Sequence, residues 1–233
     1  MPEIKCLDSI PNAPDREGLI RSLRLDPASA EAFEFATLLE FLGPIARPRA
    51  LYTVAFIDAR DEESVTVDGV TYRSRVLARN LSGLYRVFPY IATCGPELDE
   101  AADPRSDDLA RFWIDAIKTE ALEAARSFIV RHIAEAYATG TLSSMNPGSG
   151  EVDIWPIEDQ RLLFDYFGDT ESTAGVRLTQ SCLMVPNKTV SGILFPSETT
   201  FMTCTLCRRE NCVGRRAAFD PDAVRAATVG ANG

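Results

Sequence analysis

Hydrophobic and polar positions along the chain switch between a helical and a strand period, and the switches outline the elements. EAFEFATLLEFL, residues 31–42, repeats its apolar positions at helical spacing and runs into Gly43-Pro44, so it predicts the clearest helix of a mostly helical first fifty residues. ALYTVAFIDA, residues 50–59, predicts a strand. SVTVDGVTYRS alternates around Asp68-Gly69, a dipeptide that tolerates the two positive φ angles of a type I′ turn, and predicts a β-hairpin. YRVFPYIAT predicts a further strand that must turn at Cys94-Gly95-Pro96.

From Asp107 to about Tyr137 the sequence contains neither proline nor glycine. Asp107 and Asp108 suit the positive end of a helix dipole and Gly140 suits its stop, which predicts one long helix. SSMNPGSG, residues 143–150, reads as loop, and IEDQRLLFDYF as a short helix. SCLMV and TVSGILF read as strands separated by Pro186-Asn187-Lys188. Hairpins interrupted by one long helix predict an α+β fold with an antiparallel sheet, not a doubly wound parallel one. The expected division is an N-terminal helical segment (1–49), an α+β core (50–200) and a cysteine-rich tail (201–233).

Composition narrows the function. The 233 residues are 45 % hydrophobic, enough for a buried core. With 34 acidic against 24 basic side chains the net charge is −10, which argues against nucleic-acid or anionic-membrane partners. No apolar run is long enough for a membrane helix and MPEIKCLDSI lacks a signal layout, so the expected location is cytoplasmic. GxGxxG, GxxxxGK[ST] and GxSxG are all missing, which removes dinucleotide, P-loop and hydrolase readings. His132 is the single histidine and reads as a helix-surface residue.

Two features carry chemistry. On the long helix, Leu109, Trp113, Ala116, Ile117 and Ala124 share one side with Glu120 among them, and a carboxylate on an apolar face calls for a cation, a donor or a ligand's ammonium group. In the tail, CTLCRRENC places Cys204, Cys207 and Cys212 at C-x2-C-x4-C spacing, one ligand short of a four-coordinate zinc site or iron-sulfur cluster. Cys182 is the first candidate for the fourth ligand and Cys94 the second. Arg208, Arg209, Arg215 and Arg216 against Glu210 make the stretch locally basic, which would lower thiol pKa values and offset a negative cluster.

GVRLTQSCLMVPNKTVSGILFPSE, from Gly175 onward, resembles the activation domain of cobalamin-dependent methionine synthase, where the stretch has the form G-[IV]-x-L-T-[EQ]-S-x-x-M-x-P-x-x-x-[VS]-S-G-x-x-F. Leu178, Thr179, Ser181, Met184, Pro186, Ser191, Gly192 and Phe195 match. The likeness extends through Pro147-Gly148, similar to the family's R-x-x-P-G-Y loop, and through TEALEA, similar to A-E-A-x-A-E. It spans roughly residues 50 to 200 and is strongest toward the short free-standing members.

The resemblance implies a curved, twisted antiparallel sheet with flanking helices that binds S-adenosylmethionine and presents its methyl group to cobalamin, here on a partner corrinoid protein or corrinoid methyltransferase. It places ligand contacts at Glu120, Pro147, Gly148, Ser191, Gly192, Leu194 and Phe195. Ser144 stands where the family has arginine, Ser149 where it has tyrosine, and Leu194 where a strand tyrosine precedes Phe195. Loss of the arginine removes a bidentate grip on a carboxylate. The cysteine tail has no counterpart in that domain and reads as an added site, for iron-sulfur electron delivery or for structural zinc.

Overall fold

The computed structural model describes residues 2–102, 107–150, 154–198, 201, 203–211, 215 and 217–228. In chain order these hold β1 (Lys5–Leu7), α1 (Arg16–Ser22), α2 (Ala30–Leu42), β2 (Arg49–Tyr52), β3 (Ala55–Arg60), β4 (Ser64–Val67), β5 (Val70–Arg73), α3 (Arg75–Asn80), β6 (Arg86–Thr93) and α4 (Glu97–Ala101). The long helix α5 (Asp108–Tyr137) follows, then β7 (Leu142–Met145), a 3-10 turn (Ile157–Asp159), α6 (Gln160–Phe167), α7 (Thr170–Ala174), β8 (Arg177–Leu178), β9 (Met184–Val185) and β10 (Thr189–Pro196). A second 3-10 turn (Thr203–Leu206) and α8 (Pro221–Thr228) complete the order.

The core is an antiparallel sheet centred on β6 and not closed into a barrel. β2 and β3 lie end to end along one side of β6 in a single register, from Arg49↔Thr93 to Phe56↔Arg86. The strand expected at 50–59 is therefore one line with a break at Thr53–Val54. The break faces Pro89, which has no N–H to give to the ladder, although Thr53 N still donates to Pro89 O at 3.2 Å. β1 extends this side beyond β2, and the β4–β5 hairpin extends it beyond β3. Its turn residues Asp68 and Gly69 have φ of 44° and 79°, the left-handed pair that the sequence requires. On the other side of β6 comes β10, and β7 lies outside β10. Ser143 and Ser144, expected in a loop, are strand residues because β10 supplies their backbone partners.

Alternation sorts the side chains onto two faces. Tyr52, Phe88, Tyr90, Ala92 and Leu194 pack beneath Ala125, Ile129 and Ile133 of α5. Val87, Ile193 and Phe195 face the opposite way, with Met145, Trp155 and Leu163. Farther along that second face, Leu51 and Ile91 meet Phe164 and Phe167 of α6. Each such large side chain, fully buried, contributes about 1.5–3 kcal/mol.

The N-terminal half of α5 serves a different core, in which Trp113, Ile114, Ile117 and Ala121 pack with Phe35, Leu39 and Leu42 of α2. α5 begins at Asp107, whose carboxylate accepts from Ala110 N at 2.8 Å. It ends at Ala138, which adopts the left-handed conformation expected of Gly140 (φ 49°). Among the described residues no helix is long and apolar enough to cross a membrane.

Candidate functional site

The matched stretch from Gly175 divides into a turn between β8 and β9 and the largely buried strand β10. Thr179 closes the turn between β8 and β9: its N–H donates to Leu183 O (2.9 Å), its hydroxyl oxygen accepts from Leu183 N (3.0 Å), and Ser181 Oγ lies at 3.1 Å. Cys182 is locked in that turn with φ of 60°, its N–H bonded to Thr179 O and its carbonyl accepting from Gln160 Nε2 at 3.1 Å. The strand expected over SCLMV is thereby shortened to Met184–Val185.

β10 crosses the sheet beside Pro186-Asn187-Lys188, and this loop is tied to α5. Lys118, buried on α5, donates to Asn187 Oδ1 and to Asp99 Oδ1, both at 2.6 Å, and Lys188 Nζ sits 2.7 Å from Asp115 Oδ2. Nearby, burial pushes the Cys94 thiol up to about 12, against the pull of the Lys118 ammonium.

Register then decides which site residues meet. Leu194 pairs with Ser144 and Ile193 with Met145, which brings Asn146 alongside Gly192. Asn146 Nδ2 donates to Tyr90 Oη and to Ser191 O, each at 2.8 Å, and Ser144 Oγ lies 3.5 Å from Asn146 Oδ1. Gly192 has no positive φ; it is glycine because a Cβ would stand 2.2 Å from Met145 O and 2.5 Å from Asn146 Nδ2. Ser144, Asn146, Tyr90, Gly192 and Leu194 thus form one cluster on the α5 side of the β10–β7 edge, in which the Asn146 amide fills the space over Gly192; Tyr90, Gly192 and Leu194 are buried, and Ser144 and Asn146 are half-buried.

Other expected contacts lie elsewhere. Ser191 and Phe195 point to the opposite face by alternation, and among the described residues Ser191 Oγ is buried without a hydrogen-bond partner. Pro147 is buried, while Gly148 (φ 73°) donates its N–H to Trp155 O at 2.9 Å and lies against Ile157, which a Cβ there would meet at 2.9 Å. Ser149 N donates to Asn146 O at 3.1 Å, turning the chain back beside the patch.

Glu120 is half-buried, in line with Trp113 and Ala124 but about 140° round the helix from Asp115, the residue that meets the β10 loop. The α2 cover ends near it, since Ser127 and Arg131 on the same side are exposed, so the carboxylate reaches solvent at the margin of the apolar face. Asn146 and Tyr90 were not singled out by motif. The signal for Tyr90 was its alternation with Phe88 and Ala92, and for Asn146 only its place before Pro147.

The tail is folded onto the body. Leu206 is buried in one core with Phe201, Ala223 and Val224, and Phe201 N donates to Ser143 Oγ at 2.8 Å. Arg215 donates to the carbonyls of Cys207 (2.8 Å), Arg209 (2.7 Å), Ala217 (2.9 Å) and Cys204 (3.3 Å), so this arginine organises backbone where a partner to a negative cluster was expected. Cys212 and Arg216 lie outside the described residues. Among those described, no group of three His, Cys, Asp or Glu side chains could hold a metal ion, so Cys182 does not join Cys204 and Cys207. Cys182 belongs to the β8–β9 turn, whereas Cys204 and Cys207 are held by Arg215. Two grooves of about 590 and 400 Å³ share Phe164, Asp165 and Leu178 on the α6–β8 surface, away from the patch.

No protein-family model matches the chain. No curated protein matches it either. Among solved structures, the crystal structure of the MetH reactivation domain bound to AdoHcy is similar with a TM-score of 0.61 at 15 % identity, covering 86 % of this chain and 81 % of that one. At that identity the likeness defines architecture: the chain is an α+β domain with the fold of the MetH reactivation domain.

Proposed function

We propose that this chain is an accessory protein of corrinoid-dependent methyl transfer, similar to the short free-standing activation domains, and that it binds an S-adenosyl ligand in the patch between α5 and the β10–β7 edge. The observation that supports it is the coincidence of two independent likenesses. The fold is shared with a domain that holds AdoHcy, and the matched S-G-x-x-F stretch falls on β10, where Gly192 lets Asn146 pack against the strand. The residues fit such a ligand in chemical type. Tyr90 Oη, accepting from Asn146, keeps its own O–H to donate, Ser144 adds a hydroxyl, and Leu194 supplies apolar surface.

S-adenosylmethionine, when bound, supplies an electrophilic methyl group; the acceptor is a corrinoid carried by a partner and first reduced by one electron from an external reductant. The chain's own task is to hold and orient the donor, with Asn146 fixing the Tyr90 hydroxyl and Gly192 allowing Asn146 its place against β10. Titration calorimetry with S-adenosylmethionine, S-adenosylhomocysteine and hydroxocobalamin tests the reading. Saturable binding of the sulfur nucleosides at one site per chain is expected. No heat with any of the three would sink it. The iron-sulfur or zinc alternative is not favoured, because the described cysteines do not converge.

A further inference from the structure

We infer that Cys204 and Cys207, at the second 3-10 turn, form a thiol–disulfide exchange site: a dithiol that closes to an intrachain disulfide by reaction with a small-molecule disulfide. The site stands apart from the S-adenosyl reading above and does not depend on it. Spacing comes first. Cys207 N donates to Cys204 O at 3.2 Å, an i to i+3 bond that closes one tight turn. With a rise of about 2 Å per residue and three residues per turn, the two Cα atoms stand about 6 Å apart and the two side chains leave the same side of the turn. Disulfides span Cα separations of about 4.4–6.8 Å, so the turn admits one without moving its backbone.

The turn is held from three directions. Arg215 donates to Cys204 O at 3.3 Å through one guanidinium nitrogen and to Cys207 O at 2.8 Å through another, so a single planar group sets the two cysteine backbones relative to each other. Between them, Thr205 O accepts from Asp220 N at 2.8 Å, and Leu206 is buried with Phe201, Ala223 and Val224. A backbone fixed in this way has already met much of the entropy cost of bringing two sulfurs together. Cys204 and Cys207 remain half-exposed and open to a small reagent, whereas Cys94 and Cys182 are buried. Cys6 lies elsewhere, with its Sγ 3.6 Å from Thr173 O beside α7.

The number of thiols fits this chemistry. Two thiolates are half of a tetrahedral set, and among the described residues no further His, Cys, Asp or Glu completes a metal-holding group with them. A disulfide needs two. The thiolate of one cysteine attacks a sulfur of the external disulfide, which forms a mixed disulfide and releases one thiolate. The thiolate of the other cysteine then attacks the protein sulfur of that mixed disulfide, which forms the Cys204–Cys207 bond and releases the second. Two electrons pass from the dithiol to the external disulfide, and the two cysteine protons end on the two released thiols.

Glutathione disulfide is the probe. The full chain, first reduced, is equilibrated in glutathione buffers of stepped oxidised-to-reduced ratio, quenched with acid, alkylated and mapped by mass spectrometry. An intrachain Cys204–Cys207 link is expected, titrating as one two-electron couple and reversed by dithiothreitol. Cys204→Ser and Cys207→Ser are each expected to abolish the link and leave a glutathione adduct on the surviving cysteine, while Cys6→Ser and Cys212→Ser leave its equilibrium unchanged. Arg215→Ala, which releases both cysteine carbonyls, is expected to shift the equilibrium about 3- to 10-fold toward the dithiol. Glutathione adducts without an intrachain link, or a link that runs to Cys212, would overturn the assignment. An Arg215→Ala equilibrium equal to that of wild type would overturn the positioning role of Arg215.

Discussion

The cysteine-rich tail and the patch at the β10–β7 edge are opposites in how chemistry is distributed along a chain. The tail crowds three cysteines and four arginines into residues 204–216, yet the described part of it puts Arg215 to work on four backbone carbonyls and brings no metal-holding group together. The patch draws Tyr90, Asn146 and Gly192 from three separate segments, none conspicuous alone, and sets the Asn146 amide 2.8 Å from the Tyr90 hydroxyl and from the Ser191 carbonyl next to Gly192. Reactive residue types close in sequence share a loop, and a loop must first satisfy its own carbonyls. Residues aligned by strand register share one face of the sheet and can bond one another across it.

The largest contrast between the two regions is in thiol reactivity. At pH 8 a thiol with a pKa near 12 is ionised in only about one molecule in 10⁴, so Cys94 is expected to stay silent to iodoacetamide in the native state. Exposed Cys6 and half-exposed Cys204 and Cys207 are expected to be alkylated ahead of it. Peptide mapping after a timed pulse reads this order, and unreactive tail cysteines in metal-replete protein would revive a ligated cluster there.

Gly192→Ala comes next. Its Cβ would press on Met145 O and Asn146 Nδ2, so a loss of about 1–3 kcal/mol is expected, with loss of nucleoside binding beyond what the stability change explains. Denaturant midpoints and calorimetry on the same variant separate the two effects. Wild-type nucleoside affinity in the Gly192→Ala protein would remove the patch from the site.

The smallest effect is expected for Arg215→Ala. It releases four carbonyls at the half-exposed tail, which costs about 1 kcal/mol and is confined to the second 3-10 turn and the start of α8. Hydrogen exchange should quicken there while nucleoside affinity holds. A drop in that affinity would join the two regions functionally.

Local chemistry made several elements legible. Asp68-Gly69 set the hairpin because few other pairs accept two positive φ angles, and Asp107 set the start of α5 because it caps a free N–H. The span read as Asp107 to about Tyr137 matches α5, and only the left-handed cap differs, falling on Ala138 ahead of Gly140, which is itself left-handed. Ser144 was read as loop because its partner, Leu194, lies far along the chain. Glu120 stood out on a helical wheel drawn for the whole of α5, but the buried side of that helix drifts from Trp113 and Ile117 toward Ile129 and Ile133 as it passes from α2 to the sheet. A wheel assumes one partner surface; α5 has two.

The sequence by itself determined the α+β class, the long helix, the hairpin and the resemblance along β8–β10, because propensity, capping and turn chemistry act over a few neighbouring residues. Tertiary structure alone decided that Gly192 faces Asn146, that Thr179 and Cys182 are spent on a turn, and that Arg215 serves the backbone. These outcomes depend on strand register and on which carbonyls lie within reach, and both are fixed only when distant segments pair.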